Sequence, residues 1–131
     1  MFLDASAMVA IIAREDDGPA LARRAAEAAR PCTSGIAVYE TVLGIARIRN
    51  TTVGFAEEVV DDFLREMQVE VIPITADIGR RALRAFERFG RGRHPARLNM
   101  GDCFAYACAR ALAVPLLFKG DDFPQTDIAV P

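Results

Sequence analysis

Four carboxylates stand where a carboxylate is hard to accommodate. Asp4 ends the apolar pair Phe2-Leu3, and Glu40 lies at the edge of an apolar stripe. Asp102 is the only acid in the run Gly101 to Ala113, and Asp121, with Asp122 beside it, follows the apolar run Leu116-Leu117-Phe118. Acids gathered within a few ångströms in a partly desolvated site raise one another's pKa, and a divalent cation removes that conflict. Hard oxygen donors without a Cys–His cluster point to Mg²⁺ or Mn²⁺ and not to zinc. Magnesium held by a few carboxylates keeps waters for substrate phosphates, so phosphate chemistry is the natural outcome. One ion activates a water; a second, ~3.5–4 Å away, stabilises the leaving oxygen of a phosphodiester.

Each acid also has a plainer reading. Asp4 is a good N-cap for a helix starting at Ala5. Asp102 complements the positive end of its own helix. Glu40, near Arg47 on the helix wheel, suits a solvated boundary, and Asp121 and Asp122 suit a turn. Only the joint pattern carries the metal reading.

The basic residues are concentrated too. Arg80, Arg81, Arg84, Arg88, Arg91, Arg93 and Arg97 cluster around the single histidine, His94, with Glu87 the one acid among them. Such a cluster neutralises nucleic-acid phosphates and steers them toward an acidic pocket, or it is a solvated face offsetting the acidic segment Glu57 to Glu70. The loop residues Arg91, Arg93 and Arg97 are the better candidates for substrate contact. His94, in a polar loop, has no evident partner that would make it a general base.

The elements that must position these residues follow from periodicity. Phe2-Leu3 reads as a short strand running into a helix from Ala5, and Gly18-Pro19 opens a second helix through Ala29, stopped by Pro31. Cys32-Thr33-Ser34 reads as an extended link. Ile36 to Arg49 carries a broad helical stripe, and Thr51 or Thr52 caps a helix whose Phe55, Val59, Val60, Phe63, Leu64 and Met67 face the core. Val69 to Ile74 is a predicted strand. Thr75 and Asp77 start a helix closed by Gly90 in the usual C-terminal glycine position, and a polar loop, Arg91 to Asn99, leads to the helix Gly101 to Ala113. Leu116 to Phe118 is the last strand. This alternation predicts an α/β sandwich with a mainly parallel sheet, in which ligands bind outside the carboxyl ends of the strands. Asp4, Asp102 and Asp121 would then converge on one crevice.

Composition sets the outer bounds. With 131 residues, 52% of them hydrophobic, and 16 basic against 18 acidic side chains, the chain is one domain, residues 1–131, with a formal charge of −2. That balance excludes a disordered chain and a wholesale basic coat. Cys32, Cys103 and Cys108 form no C-x-x-C pair and read as small buried hydrophobes in a reducing compartment. With no basic leader before Phe2 and an apolar stretch, Ala5 to Ala13, too short to span a bilayer, a cytoplasmic protein is expected.

The stretches Asp4-Ala5-Ser6-Ala7, Leu98-Asn99-Met100-Gly101-Asp102-Cys103-Phe104-Ala105-Tyr106-Ala107 and Leu116-Leu117-Phe118-Lys119-Gly120-Asp121-Asp122-Phe123, with Glu40 between them, closely resemble PIN-domain ribonucleases of the VapC toxin type, in a mycobacterial-type branch. The resemblance covers the whole chain and implies a PIN-like three-layer α/β/α sandwich with a short central sheet. It implies a Mg²⁺ or Mn²⁺ site formed by Asp4, Glu40, Asp102 and Asp121, with Ser6 supporting the first acid and Asp122 competing with Asp121 for the last position. Asp121, which comes sooner after the strand, is the preferred residue. The implied role is the toxin of a type II toxin–antitoxin pair. Such a toxin is an endoribonuclease in which Asp4 and Asp102 bind the metal while Glu40 and Asp121 complete its shell or orient water. Its implied partners are RNA, a second copy of itself, and a VapB-like antitoxin lying across the exposed parts of the second and third helices.

Two other readings compete. A phosphoacceptor receiver module is also a single α/β domain with acids at strand ends, but it needs adjacent acids after its first strand and an Asp ending a middle strand. This chain has Asp4 alone and Pro73-Ile74-Thr75 after its middle strand. An inactive PIN-like RNA-binding module would be expected to have lost acids that are present here.

Overall fold

Phe2 and Leu3 are both completely buried, on opposite faces of the same two-residue strand. Phe2 packs with residues of the fifth and sixth helices, and Leu3 with residues of the first and second. The alternation repeats at Leu116 and Leu117, which divide between the same two cores. A sheet covered on both faces follows, as the strand period of two requires.

The computed structural model describes residues 1–128. Its strands are β1 (Phe2–Leu3), β2 (Cys32–Ser34), β3 (Glu70–Ile72) and β4 (Leu116–Leu117), all parallel, in the order β3-β2-β1-β4. The helices are α1 (Ala5–Ile12), α2 (Gly18–Ala26), α3 (Gly35–Arg49), α4 (Val53–Glu66), α5 (Ala76–Phe89) and α6 (Met100–Leu112), followed by a 3-10 turn at Phe123–Gln125. Helices α5 and α6 cover one face; α1 and α2, with Ala37 of α3 and Phe63 of α4, cover the other. A third cluster, Val42, Ile45, Ala56 and Val60, joins α3 to α4. The result is the three-layer α/β/α arrangement expected from the sequence. Among the described residues no helix is long and apolar enough to cross a membrane.

Short polar side chains end the strands and start the helices. Ser34 Oγ accepts from Ala37 N at 3.3 Å, Thr52 Oγ1 from Phe55 N at 3.2 Å and Thr75 Oγ1 from Ile78 N at 3.2 Å, each satisfying a donor that the first helical turn leaves open. The segment Cys32 to Ser34, expected as a link, is an interior strand. Its hydroxyls hid it, yet they are satisfied inside: Thr33 Oγ1 donates to Leu3 O at 2.8 Å, and Ser34 caps α3.

Other boundaries shift as well. Helix α2 ends at Ala26 and not at Ala29, because the chain must turn in time for Cys32 N to reach Met1 O at 2.9 Å. β3 is confined to Glu70–Ile72 and β4 to Leu116–Leu117. Gly90 closes α5 with φ −69°, in extended rather than left-handed backbone. Glycine is needed there for another reason: a Cβ would fall 2.7 Å from Phe86 Cε2.

The polar loop after α5 is built rather than loose. Leu98 N donates to Phe89 O at 2.9 Å and Arg91 N to Leu98 O at 3.0 Å, while Ala96 and Leu98 are completely buried. Truncating Leu98 to Ala removes a completely buried core side chain. It should cost about 2–5 kcal/mol, read as a lower urea midpoint with an unchanged slope.

Candidate active site

Parallel strands place all their carboxyl ends on one edge of the sheet. From β1 the chain moves outward through β2 to β3, then crosses back to β4 on the other side, so the order reverses between β1 and β4. A crevice opens outside strand ends at such a reversal. Asp4 stands in it, with its backbone N donating to Leu117 O at 2.9 Å, and is only 5% exposed.

The capping role read for Asp4 is present, on a carboxylate that is also buried. Its Oδ2 caps α1 by accepting from Ser6 N at 3.0 Å, and also accepts from Ser6 Oγ at 2.5 Å. Ser6 Oγ in turn accepts from Lys119 N at 3.0 Å, so one hydroxyl ties the end of β1 to the loop after β4. Burial raises the Asp4 pKa above the ordinary carboxylate value, against the opposing hydrogen bonds from Ser6 and from Ala5 N–H.

Asp102 arrives from the helix that precedes β4. That helix starts at the edge where the strands end, and Asn99 fixes its first turn: Asp102 N donates to Asn99 Oδ1 and Asn99 N donates to Asp102 Oδ2, both at 2.9 Å. This reciprocal capping box aims the carboxylate. Burial raises the Asp102 pKa to about 6; the Asn99 N–H opposes the shift, while the charges of Asp4 and Asp122 add to it and Arg91 counters weakly.

Glu40 reaches the same place from the second turn of α3, which starts at the end of β2. Its carboxylate rests on Gly101, where an added Cβ would come within 2.5 Å of Glu40 Cδ and closer still to both oxygens. Burial, then the charges of Asp4 and Asp102, push its pKa up to about 7. Asp4, Glu40 and Asp102 are therefore electrostatic neighbours, and among the described residues none of them forms an ion pair.

Asp121 and Asp122 differ in what they do around Asp102. Both are exposed, but it is Asp122 whose charge acts on Asp102, whereas Asp121 uses its backbone carbonyl to accept from Gln125 Nε2 at 3.2 Å. The strand ends one residue earlier than expected, and Gly120, at φ 111°, turns the loop. Lys119 next to them is engaged elsewhere, pairing with Glu15 and with Asp17 at 3.2 Å.

The arginines fall into two groups. On α5, Arg81 pairs with Asp77 at 2.7 Å, Arg84 with Glu87, and Arg88 with Asp127 at 3.0 Å. In the following loop Arg91, Arg93 and Arg97 are exposed, form no ion pair among the described residues, and line an open cavity of about 610 Å³. Arg93 lies over the Phe86 ring at 5.3 Å. His94 does have a partner: its Nδ1 accepts from Ala96 N at 3.1 Å and its ring meets Phe89 edge-on at 5.1 Å, so it braces the loop. Asn99 and Gly101 escaped the sequence reading. The first was legible as Asn three residues before an acid; the second gave no signal without knowing that α3 packs there.

Among the described residues no three acids are gathered at metal-ligand distance. The donor set nevertheless fits a hard divalent ion. Three carboxylates with raised pKa values, Glu40 and Asp102 feeling the charge of Asp4, stand without a paired cation among the described residues, and every donor is oxygen.

Comparison with known proteins agrees with this architecture. A family model described as the PIN domain matches residues 1–129. A VapC ribonuclease of Rhizobium meliloti (strain 1021) is 37% identical over 139 residues, covering 97% of this chain and 98% of that protein. A ribonuclease VapC of Mycolicibacterium smegmatis is 38% identical over 129 residues, covering 98% of each. The crystal structure of VapC20 from Mycobacterium tuberculosis, described as a sarcin–ricin loop cleaving toxin, has a TM-score of 0.77 at 21% identity over 98% of this chain and 95% of that one, which shows the same fold.

The acids make stability pH-dependent in a defined direction. Glu40 titrates at about 7 in the folded chain against an ordinary 4.5, and Asp102 at about 6 against 3.8, so the folded state holds these protons more tightly than the unfolded one. Their stabilising contribution is complete below the ordinary values and is lost as pH rises through about 6 and 7. In metal-free buffer Glu40→Gln should therefore melt above the wild type at pH 8. That gain should vanish below about pH 4.5, measured as Tm against pH.

Proposed function

The chain belongs to the PIN-domain family and groups with its VapC ribonucleases, and from that premise we propose that it is a Mg²⁺-dependent endoribonuclease, the toxin of a type II toxin–antitoxin pair. One observation carries the reading: three acids far apart in sequence, Asp4, Glu40 and Asp102, come within reach of one another's charge at the sheet's switch point without an ion-pairing cation among the described residues. Mn²⁺ would suit the same donors.

Asp4 and Asp102 would hold the ion, each aimed by a hydrogen bond already in place, from Ser6 and from Asn99. The charge of Asp122 on Asp102 supports Asp122 over Asp121 as the fourth acid. When bound, the ion supplies Lewis acidity that polarises a phosphodiester and activates water. Glu40, raised toward neutrality, is suited to take up and release a proton at its carboxylate. The unpaired Arg91, Arg93 and Arg97 supply the positive surface an RNA backbone needs beside so acidic a pocket.

The partners follow from the same surfaces. Tyr39 and Leu43, exposed on α3 on either side of Glu40, offer apolar anchors to a VapB-like antitoxin whose basic side chain would neutralise the acids. Leu83, Phe86 and Met100 leave apolar surface between α5 and α6 for a second copy of the chain.

Asp4→Asn and Asp102→Asn should each lower Mg²⁺-dependent cleavage of a single-stranded RNA about a hundredfold or more, and excess Mg²⁺ should raise the Tm of the wild type but not of either variant. Parental cleavage by a folded Asp102→Asn protein would overturn the proposal. Replacing Arg91, Arg93 and Arg97 together by Ala should flatten the log–log dependence of RNA affinity on salt by about two.

A further inference from the structure

Gly101 occupies the second position of α6, inside a helix, where glycine is the poorest ordinary residue after proline. Backbone conformation does not call for it, since the glycines with positive φ are Gly92 and Gly120. What does call for it is Glu40. The three atoms nearest a Cβ at position 101 all belong to the Glu40 carboxyl group: both oxygens and Cδ. At Gly54 and Gly79, also helical, a Cβ would meet nothing within 4 Å.

We propose that Gly101 is a positioning residue whose missing side chain is the seat of the Glu40 carboxylate, holding it against the first turn of α6 beside Asp102. This rests on the role given to Glu40 above. A methyl group at position 101 fills the seat, and the neighbour that gives way is the far end of a flexible side chain, not backbone. The carboxylate swings off α6 by about 1 Å or more, a displacement large enough to cost up to a hundredfold in a positioned reaction. The helix itself loses nothing, because alanine is the better helix former.

The test compares Gly101→Ala with Gly54→Ala, Glu40→Asp and the double variant Glu40→Asp/Gly101→Ala. It measures Tm, calorimetric binding of Mn²⁺, RNA cleavage, and the ¹³C shift of the Glu40 carboxyl in metal-free protein. Gly101→Ala should keep the wild-type Tm or exceed it, move the carboxyl shift, and lower Mn²⁺ affinity and cleavage about tenfold to a hundredfold. Gly54→Ala should leave the carboxyl shift, Mn²⁺ affinity and cleavage unchanged, and should keep or raise the Tm. In the Glu40→Asp background the shorter side chain no longer reaches the seat, so adding Gly101→Ala should cost less than about threefold more.

A wild-type carboxyl shift in Gly101→Ala overturns the proposal, as does an equal loss of Mn²⁺ affinity and cleavage in both backgrounds. If Gly101→Ala does not fold, recovery of a wild-type Tm in the double variant supports the contact, and an unfolded double variant overturns it. A wild type that neither binds Mn²⁺ nor cleaves RNA refutes the role of Glu40. The carboxyl shift still decides whether Gly101 seats it.

Discussion

Three carboxylates confined to one sheet edge, desolvated and within reach of one another's charge, are the constraint around which this chain is organised. Left alone the arrangement is unfavourable, because burial already raises each pKa, Asp4 and Asp102 add to the rise at Glu40, and Asp4 and Asp122 add to it at Asp102. Ordinary structural acids in the molecule behave in the opposite way. Asp77, beside Arg81, and Asp127, between Tyr106 and Arg88, sit below the usual value because a hydrogen-bonding partner stabilises their charge. The contrast separates acids whose charge has a partner from acids whose charge has none, the pattern expected where titratable groups are functional.

The scaffold tolerates the strain because each acid is fixed by a group that belongs to the fold's own hydrogen bonding. Asp4 is a helix cap, Asp102 is half of a capping box, and Glu40 lies in a space left by a glycine. Very short strands contribute too. With two or three residues each, the strands deliver the following helices and loops almost directly to the carboxyl edge, and the cores on both faces keep that edge rigid. Ser6 links the two halves of the crevice through one hydroxyl, donating to Asp4 and accepting from Lys119 N.

The basic side of the molecule is divided in the same spirit. On α5, Arg81, Arg84 and Arg88 are matched by carboxylates one turn away or by Asp127, and such exposed pairs add little to stability. Beyond Gly90 the matching stops. A loop braced by His94, Ala96 and Leu98 presents Arg91, Arg93 and Arg97 without an ion pair among the described residues, and Arg91 is near enough to act on the charge of Asp102.

Much of this was legible in the chain alone. The alternation of short apolar runs with helical stripes gives the α/β class, and acids at apolar strand ends and on the apolar α6 segment single out Asp4 and Asp102, because burying a carboxylate without reason is costly at any place in any fold. Hydrophobic period and capping residues are local properties, and they specify local structure. What the sequence does not determine is whatever depends on where one helix meets another. The interior place of β2, the charge of Asp122 on Asp102, the bracing role of His94 and the crowding of position 101 by Glu40 all arise from contacts that no helical or strand period encodes. A period relates residues within one element only, so the packed structure alone decides such contacts.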